Sequence, residues 1–398
     1  MNLLKSKKIN GLILVLNLGS SSLKFSLFYS NLLGKQYFGT ITGIGGNKAL
    51  MEITSGKEGK MIKKAFVKMD LENSINEIIK FLEKKDVRSK MVAIGYRVVQ
   101  GGPSHICPEL VTEKMLKDLE GYVYLAPNHL HDELKLMREF RKAYIGIPHI
   151  ACFDTYFHKD MPKHSKFYQL PNKYREMGLM RYGFHGLSCE SIFQQLLEED
   201  VDVAHQKIII AHLGSGSSMS AINRGASQDT TMGISPMGGL VMATRSGDLD
   251  PGAILFMLKQ DQLSTDQLDE VLSKQSGLKA IAGTSDMQEI LENRNKSQKA
   301  SEALDFFCYQ AKKYLGSLAA ALGGIDLLVF CGGIGENAWL VREKICINME
   351  FMGISVDSSS NVGSDAVISR SNSKVTVKVM KTDEQLMIAI HIQNILSI

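Results

Sequence analysis

The sequence predicts an α/β protein made of two related domains, and three observations carry that expectation. Leu12–Tyr29 (LILVLNLGSSSLKFSLFY) reads as a buried strand, a Gly/Ser turn and a second strand. In that second strand Leu23, Phe25, Leu27 and Tyr29 alternate with Lys24, Ser26 and Phe28. Nearly the same design returns at Ile208–Ile222 (IIIAHLGSGSSMSAI). At an offset of 195 residues Ile13, Leu18, Gly19, Ser20 and Ser22 fall on Ile208, Leu213, Gly214, Ser215 and Ser217. A motif repeated once per half-chain argues for internal duplication. The third observation is length: 398 residues exceed one ordinary core and suggest two domains.

Further buried strands are expected at Met91–Val99, Pro148–Phe153 and Asp326–Phe330. Helical periodicity marks Leu71–Lys84, Thr112–Leu119, Asp132–Tyr144, Ser188–Leu197, Ser264–Ser273, Ser301–Leu322 and Ala338–Met349. Gly323 and Gly324 supply a stop for the long Ala-rich helix. Strands alternating with helices in both halves give the α/β class. No Pro- or Ser-rich linker separates the halves, so a short hinge is expected near Asp154–His158.

Composition narrows the function. A net charge of +4, with both signs interspersed, does not build a nucleic-acid or membrane surface. Six cysteines without a C-x-x-C pair fit reduced thiols in a cytoplasmic enzyme. Lys5, Lys7 and Lys8 precede an apolar run, but Gly11–Leu16 is too short for a secretory leader. No stretch reaches the ~20 apolar residues of a membrane span.

A Gly/Ser turn between strands lines up backbone N–H groups and hydroxyls on a concave surface suited to phosphate oxygens. Asn17, Ser20, Ser21, Ser22 and Lys24 offer such a surface in the first half. His212, Gly214, Ser215, Gly216 and Ser217 offer it in the second. Either turn alone reads as a plain hairpin; two copies are what a nucleotide held between related domains requires. A third loop, Phe330–Asn337 (FCGGIGEN), lies between a strand and a helix. It lacks the completion of a dinucleotide fingerprint, and the chain has no G-x-x-x-x-G-K-[ST]. Adenosine against bare backbone at Gly332, Gly333 and Gly335 fits it better.

Together these segments resemble the acetate kinase family, within the actin, sugar kinase and heat-shock-70 ATPase superfamily. The resemblance rests on NLGSSSLKFSLF from Asn17, GYRVVQGG (Gly95–Gly102), LAPNH (Leu125–His129) and FDTYFHKDMP (Phe153–Pro162). It continues through RYGFHG (Arg181–Gly186), HLGSGSS, DTTMGISPMGGL (Asp229–Leu240), ATRSGDLDPG (Ala243–Gly252), SGL…SDM, CGGIGEN and TDEQLMIA (Thr382–Ala389). It implies two duplicated ribonuclease-H-like (actin-like ATPase) domains with a nucleotide cleft between them. They would span residues 1–155, joined by a C-terminal helix over 385–398, and residues 156–384. The implied activity is reversible, Mg²⁺- or Mn²⁺-dependent transfer of the ATP γ-phosphoryl to acetate, giving acetyl phosphate and ADP. Propionate or butyrate as acceptor, or nucleotide binding with little carboxylate turnover, are the alternatives. A homodimer is implied as well.

A carboxylate is already ionised near neutral pH, so no general base is needed. The difficulty is bringing two anions together and neutralising the transferring group, a task suited to arginine. The resemblance assigns Arg97 and Arg245 to acetate and phosphoryl, and His185 to an equatorial phosphoryl oxygen. It gives His129 and His212 supporting contacts, and makes Asp154 and Glu384 the metal-organising carboxylates, with Asn17 orienting the metal's waters. Val99 and Leu125 match the acyl pocket, with Phe184 and Pro236 as neighbours. Asp286 and Asn337 join the nucleotide set. Tyr96, Gln100, Ser215, Gly238, Cys189 and Gln288 depart from the family's usual residues.

Overall fold

The computed structural model describes residues 11–398, so Lys5, Lys7 and Lys8 lie outside the described part. In the first sheet β1 (Leu12–Leu18), buried throughout, pairs antiparallel with β2 (Ser22–Tyr29), Asn17 opposite Lys24. Three antiparallel additions, β3 (Lys35–Thr42), β4 (Lys48–Ser55) and β5 (Met61–Val67), extend that side. On the other side β6 (Met91–Val98) runs parallel to β1, β8 (His149–Phe153) runs parallel to β6, and the short β7 (Glu109–Leu110) closes the edge.

The second sheet has β9 (Lys207–Leu213) antiparallel to β10 (Ser217–Asn223), which pairs with β11 (Ala226–Thr230). Parallel strands β12 (Leu327–Cys331) and β13 (Thr376–Val379) complete it. The order β3-β2-β1-β6-β8 of the first sheet is the order β11-β10-β9-β12-β13 of the second. Strand senses match too, so the sequence repeat is a repeat of topology. The mixed α/β class and the duplicated turns are therefore as expected.

The chain forms two compact units, Met1–Tyr156 with Asp383–Ile398, and Phe157–Thr382. The expected partition left Asp383 and Glu384 in the second domain, whereas both belong to the first unit. Asp383 caps the terminal helix Glu384–Leu396 through Leu386 N–H, and pairs with Lys35 at 2.6 Å. That helix packs on β1 and β6. It can approach because β6 carries glycine: a Cβ at Gly95 would lie 2.5 Å from Ile392 Cδ1 and 2.6 Å from Ile388 Cγ2.

The alternation expected in β2 does not hold, because Ser26 and Phe28 are as buried as Phe25 and Leu27. Both sheet faces are covered. Phe81 of the helix Leu71–Lys84 meets Phe25, and Gln385 of the terminal helix accepts from Ser26 Oγ at 2.8 Å. The expected glycine loop is also more regular than its sequence suggests: Gly332–Asn337 is a six-residue helix, and Trp339–Cys346 follows. The long helix runs Gln298–Leu322, capped by Ser297 and stopped at Gly323 (φ 66°), and packs beneath the second sheet. Among the described residues no helix is long and apolar enough to cross a membrane.

Candidate active site

In the first unit, parallel strands β1, β6 and β8 end side by side, and each delivers one functional group there. Asn17 is the sixth residue of the seven-residue β1, Arg97 is next to last in β6, and Asp154 directly follows β8. The carboxyl ends of parallel strands are where ligands bind in open α/β sheets. Arg97 forks onto Asp154, Nε to Oδ1 at 3.0 Å and Nη2 to Oδ2 at 2.5 Å. Asp154 is fully buried, which a carboxylate tolerates only when paired and hydrogen-bonded. Glu384 reaches the same place from the terminal helix. Its Oε2 accepts from Asn17 Nδ2 at 2.9 Å and lies 3.7 Å from Arg97 Nε.

A fourth member was not anticipated. Glu133, in the first turn of the helix Leu130–Ala143, is 1% exposed, and its Oε2 accepts from Val99 N–H at 3.0 Å. Its Oε1 is buried without a hydrogen-bond partner. Burial pushes its carboxyl up to about 8, against the opposing pull of Arg97 and the Val99 amide. Glu133 therefore carries a proton at neutral pH. For Arg97, burial acts to lower the pKa, but the Asp154 and Glu384 carboxylates outweigh it and hold the guanidinium above its ordinary value.

This gives a stability prediction. A carboxyl whose pKa rises on folding contributes stability below its unfolded value and loses it as pH climbs through the folded one. Between pH ~4.5 and ~8 wild-type stability should carry a declining component approaching ~1.4 kcal/mol per pH unit from this group. Glu133→Gln should remove that component. Urea unfolding from pH 5 to 8 checks it, and parallel profiles for both proteins would refute it.

Val99 and Leu125 are both buried, 4% and 3% exposed. His129 precedes the helix that carries Glu133 and accepts, through its carbonyl, from Glu133 N–H at 3.1 Å. The β1–β2 turn closes by Gly19 N–H to Ser22 O at 2.7 Å. Ser20 and Lys24 are exposed and Ser22 is half-buried.

In the second unit the β9–β10 turn is the counterpart. Gly214 N–H donates to Ser217 Oγ at 3.2 Å, and Ser215 is exposed at the tip. Gly216 lies beneath two side-chain nitrogens: a Cβ built there would sit 3.3 Å from His185 Nε2 and 3.6 Å from Arg245 Nη1. His185 stacks on His212 with ring centroids 4.3 Å apart, and its Nδ1 lies 3.0 Å from Ser218 Oγ. Arg245 is held by Nη1 donating to Pro236 O at 3.0 Å. A Cβ on Gly214 would be 4.0 Å from Gly333 N, so this turn and the start of the Gly332–Asn337 helix are neighbours. Gly335 is buried and Gly333 exposed. Gly332 needs glycine, with φ +76° and 2.6 Å from a would-be Cβ to Leu213 O.

Two predicted nucleotide residues are occupied locally. Asp286 caps the helix Met287–Asn293 by accepting from Gln288 N–H at 2.9 Å, and Asn337 Nδ2 donates to Gly333 O at 2.9 Å. Arg342, also not anticipated, is fully buried and spends all five N–H bonds on neighbours. Nη1 donates to Gly335 O (2.8 Å) and Glu336 O (2.9 Å), Nε to Asn361 Oδ1 (2.8 Å), and Nη2 to Asn361 O (2.6 Å) and Ser364 Oγ (2.9 Å). It ties the glycine helix to the segment at Asn361; burial lowers it to about 10.

A metal is implied, and the residues fit a hard divalent cation. Among the described residues no group of three or more His, Cys, Asp or Glu side chains could hold an ion alone. Asn17 and Glu384 offer one amide and one carboxylate, a sparse oxygen set of the kind that suits a hard divalent cation keeping waters and taking phosphate oxygens.

Two sequence signals were available for the residues not anticipated. Glu133 lies on the apolar stripe formed by Leu130, Leu134 and Met137, where a carboxylate is out of place. Ser218 falls inside HLGSGSS. Arg342 gave none.

The profile of the acetokinase family matches residues 12–390. The acetate kinase of Carboxydothermus hydrogenoformans is 38% identical over 390 residues, covering 95% of this chain and 97% of that protein. The acetate kinase of Rickettsia felis is 38% identical over 381 residues, with coverage of 95% and 97%. Among solved structures, the acetate kinase of Porphyromonas gingivalis superposes with a TM-score of 0.86 at 35% identity, covering 97% of this chain and 100% of that one. A propionate kinase from Francisella tularensis superposes with a TM-score of 0.89 at 32% identity, covering 96% and 98%. Two similar sheets, strand-end Arg97 and Asp154, and full-length similarity agree, and the chain belongs to the acetokinase family.

Proposed function

We propose that this chain is an acetate kinase, transferring the γ-phosphoryl of ATP to acetate with Mg²⁺. The reading is carried by the convergence of His185 Nε2 and the Arg245 guanidinium over Gly216, a donor set for an anionic phosphoryl group. In the transfer an acetate oxygen forms a bond to the γ-phosphorus while the bond to the bridging oxygen breaks. ADP takes the electron pair, and no proton moves. Arg97, held by Asp154, takes the acetate carboxylate, while Val99 and Leu125 surround its methyl group. His185 and Arg245 neutralise charge gathering on the equatorial oxygens, worth more in a water-poor site than in bulk. Asn17 and Glu384 would hold the Mg²⁺, which supplies charge neutralisation on the phosphates when bound. Gly332, Gly333 and Gly335, braced by Arg342, receive adenosine.

A propionate-preferring variant of the same reaction deserves a direct test, because one structural relative is named a propionate kinase and one methylene is worth only about 1–3 kcal/mol. Hydroxamate formation with acetate, propionate and butyrate decides the acceptor. Turnover of none of them would defeat the proposal. Glu384→Gln is expected to raise the Mg²⁺ concentration at half-maximal rate by about 10-fold or more; an unchanged Mg²⁺ titration would remove Glu384 from the metal set.

A cytoplasmic homodimer completes the proposal. The dimer is supported by the helix Pro251–Gln260 (PGAILFMLKQ), in which no residue is buried; Leu255 and Phe256 are 55% and 64% exposed. Sedimentation at micromolar concentration tests the dimer.

A further inference from the structure

We propose that His158 is a positioning residue that holds His185 in its productive, strained conformation. This rests on the reading of His185 as a transition-state donor and adds a residue to it. His185 has φ 56°, the left-handed region, where a non-glycine residue sits only if its surroundings impose it. Those surroundings begin one residue earlier. His158 is fully buried, with Nε2 3.1 Å from Phe184 O and Nδ1 2.8 Å from Ser227 Oγ.

A carbonyl only accepts, so Nε2 carries the proton and Nδ1 accepts from the Ser227 hydroxyl. Burial drives the imidazole down to about 4, so it stays in this neutral form. The ring also lies flush under the preceding residue. A Cβ on Gly183 (φ +73°) would be 2.6 Å from His158 Cδ2, so the turn can lie on the imidazole only as glycine.

From the other side Tyr182 N–H donates to Gly233 O at 3.0 Å. Arg181 Nη1 donates to the carbonyls of Thr230, Thr231 and Met232 at 2.8, 3.1 and 3.2 Å. The RYGFHG turn is thus clamped, and His158 is the jaw acting on the peptide that enters His185. Releasing Phe184 O allows that peptide to rotate and His185 to relax toward φ < 0. Nε2 then swings away from Gly216, while the β9–β10 turn and Arg245 keep their own contacts.

The test is a double-mutant cycle on the full-length enzyme, with kcat, KM for ATP, KM for acetate and thermal midpoint measured for each protein. His158→Leu keeps the volume and removes the donor. It is expected to lower kcat about 10²-fold, the scale of an ångström-sized misplacement, with both KM values within about threefold of wild type. In a His185→Ala background the same change should alter kcat less than about twofold, since the group it positions is gone. Equal factors in the two backgrounds, or a loss confined to KM, would overturn the proposal.

Should His158→Leu not fold, Ser227→Ala carries the same cycle. Loss of its hydroxyl frees the tautomer and should cost about 10-fold in kcat in the wild-type background and nothing beside His185→Ala; equal factors again overturn it. A His185→Ala enzyme with unimpaired kcat would defeat the functional reading of His185, a result distinct from equal factors in a cycle where His185→Ala is impaired.

Discussion

Arg97→Ala should lose both activity and stability, and the two losses should separate on adding a second change. The guanidinium is the charge partner of a fully buried carboxylate, bonded through two oxygens at 3.0 and 2.5 Å. Removing it leaves Asp154 buried without its guanidinium partner, a defect of about 3–5 kcal/mol. It also removes the cation that lets an anionic acceptor approach an anionic donor. Loss of the guanidinium that positions the attacking carboxylate should cost about 10²-fold or more in rate.

Asp154→Asn added to Arg97→Ala abolishes the orphaned charge. The double variant should therefore regain most of the stability while remaining inactive. Urea unfolding and ADP release on the four proteins of this cycle measure both. A single Arg97→Ala variant as stable as wild type would show that Asp154 finds its compensation elsewhere. A double variant with restored turnover would show that the pair is structural only.

His185 is the second position where a large effect is expected, and there backbone and side chain can be set against each other. His185→Ala should lower kcat by about 10²–10³-fold, the scale of losing one preorganised donor to a developing oxyanion. KM should move little, because the contact strengthens in the transition state. The alanine keeps the cost of a left-handed residue, about 1–2 kcal/mol, while glycine does not. His185→Gly should accordingly be the more stable of the two by about 1 kcal/mol and equally inactive. Chemical unfolding beside initial rates checks this. A glycine variant less stable than the alanine variant would mean that the turn imposes no strain on residue 185.

How much of this was legible before folding can be followed residue by residue. The strand–turn–strand segments at Leu12 and Ile208 announce themselves through apolar runs broken by Gly and Ser. The same signals place Asn17, Arg97 and Asp154 at strand ends, and the caps at Ser297 and Gly323 delimit the long helix. β5 is legible from neither period nor burial, because all but one of its residues are exposed. It pairs because β4 offers an edge. The alternation read in β2 failed for the opposite reason: helices cover both faces, and Ser26 is buried because Gln385 satisfies it.

At the candidate site, the residue types and their places on strand ends followed from chain-local pattern. Period, turn chemistry and the ordered motifs all act over a few residues, and these delivered the duplicated α/β architecture and the family. Partnership and protonation came from the packed chain alone. Glu384 meets Asn17 across 367 residues because the terminal helix seats Ile388 and Ile392 on the bare backbone of Gly95. Glu133 holds its proton because burial, absent from any linear pattern, makes its charged form costly. His185 takes a left-handed turn under the hold of His158. Such terms depend on which distant atoms exclude water from one another, and that is decided only when the sheets and helices close.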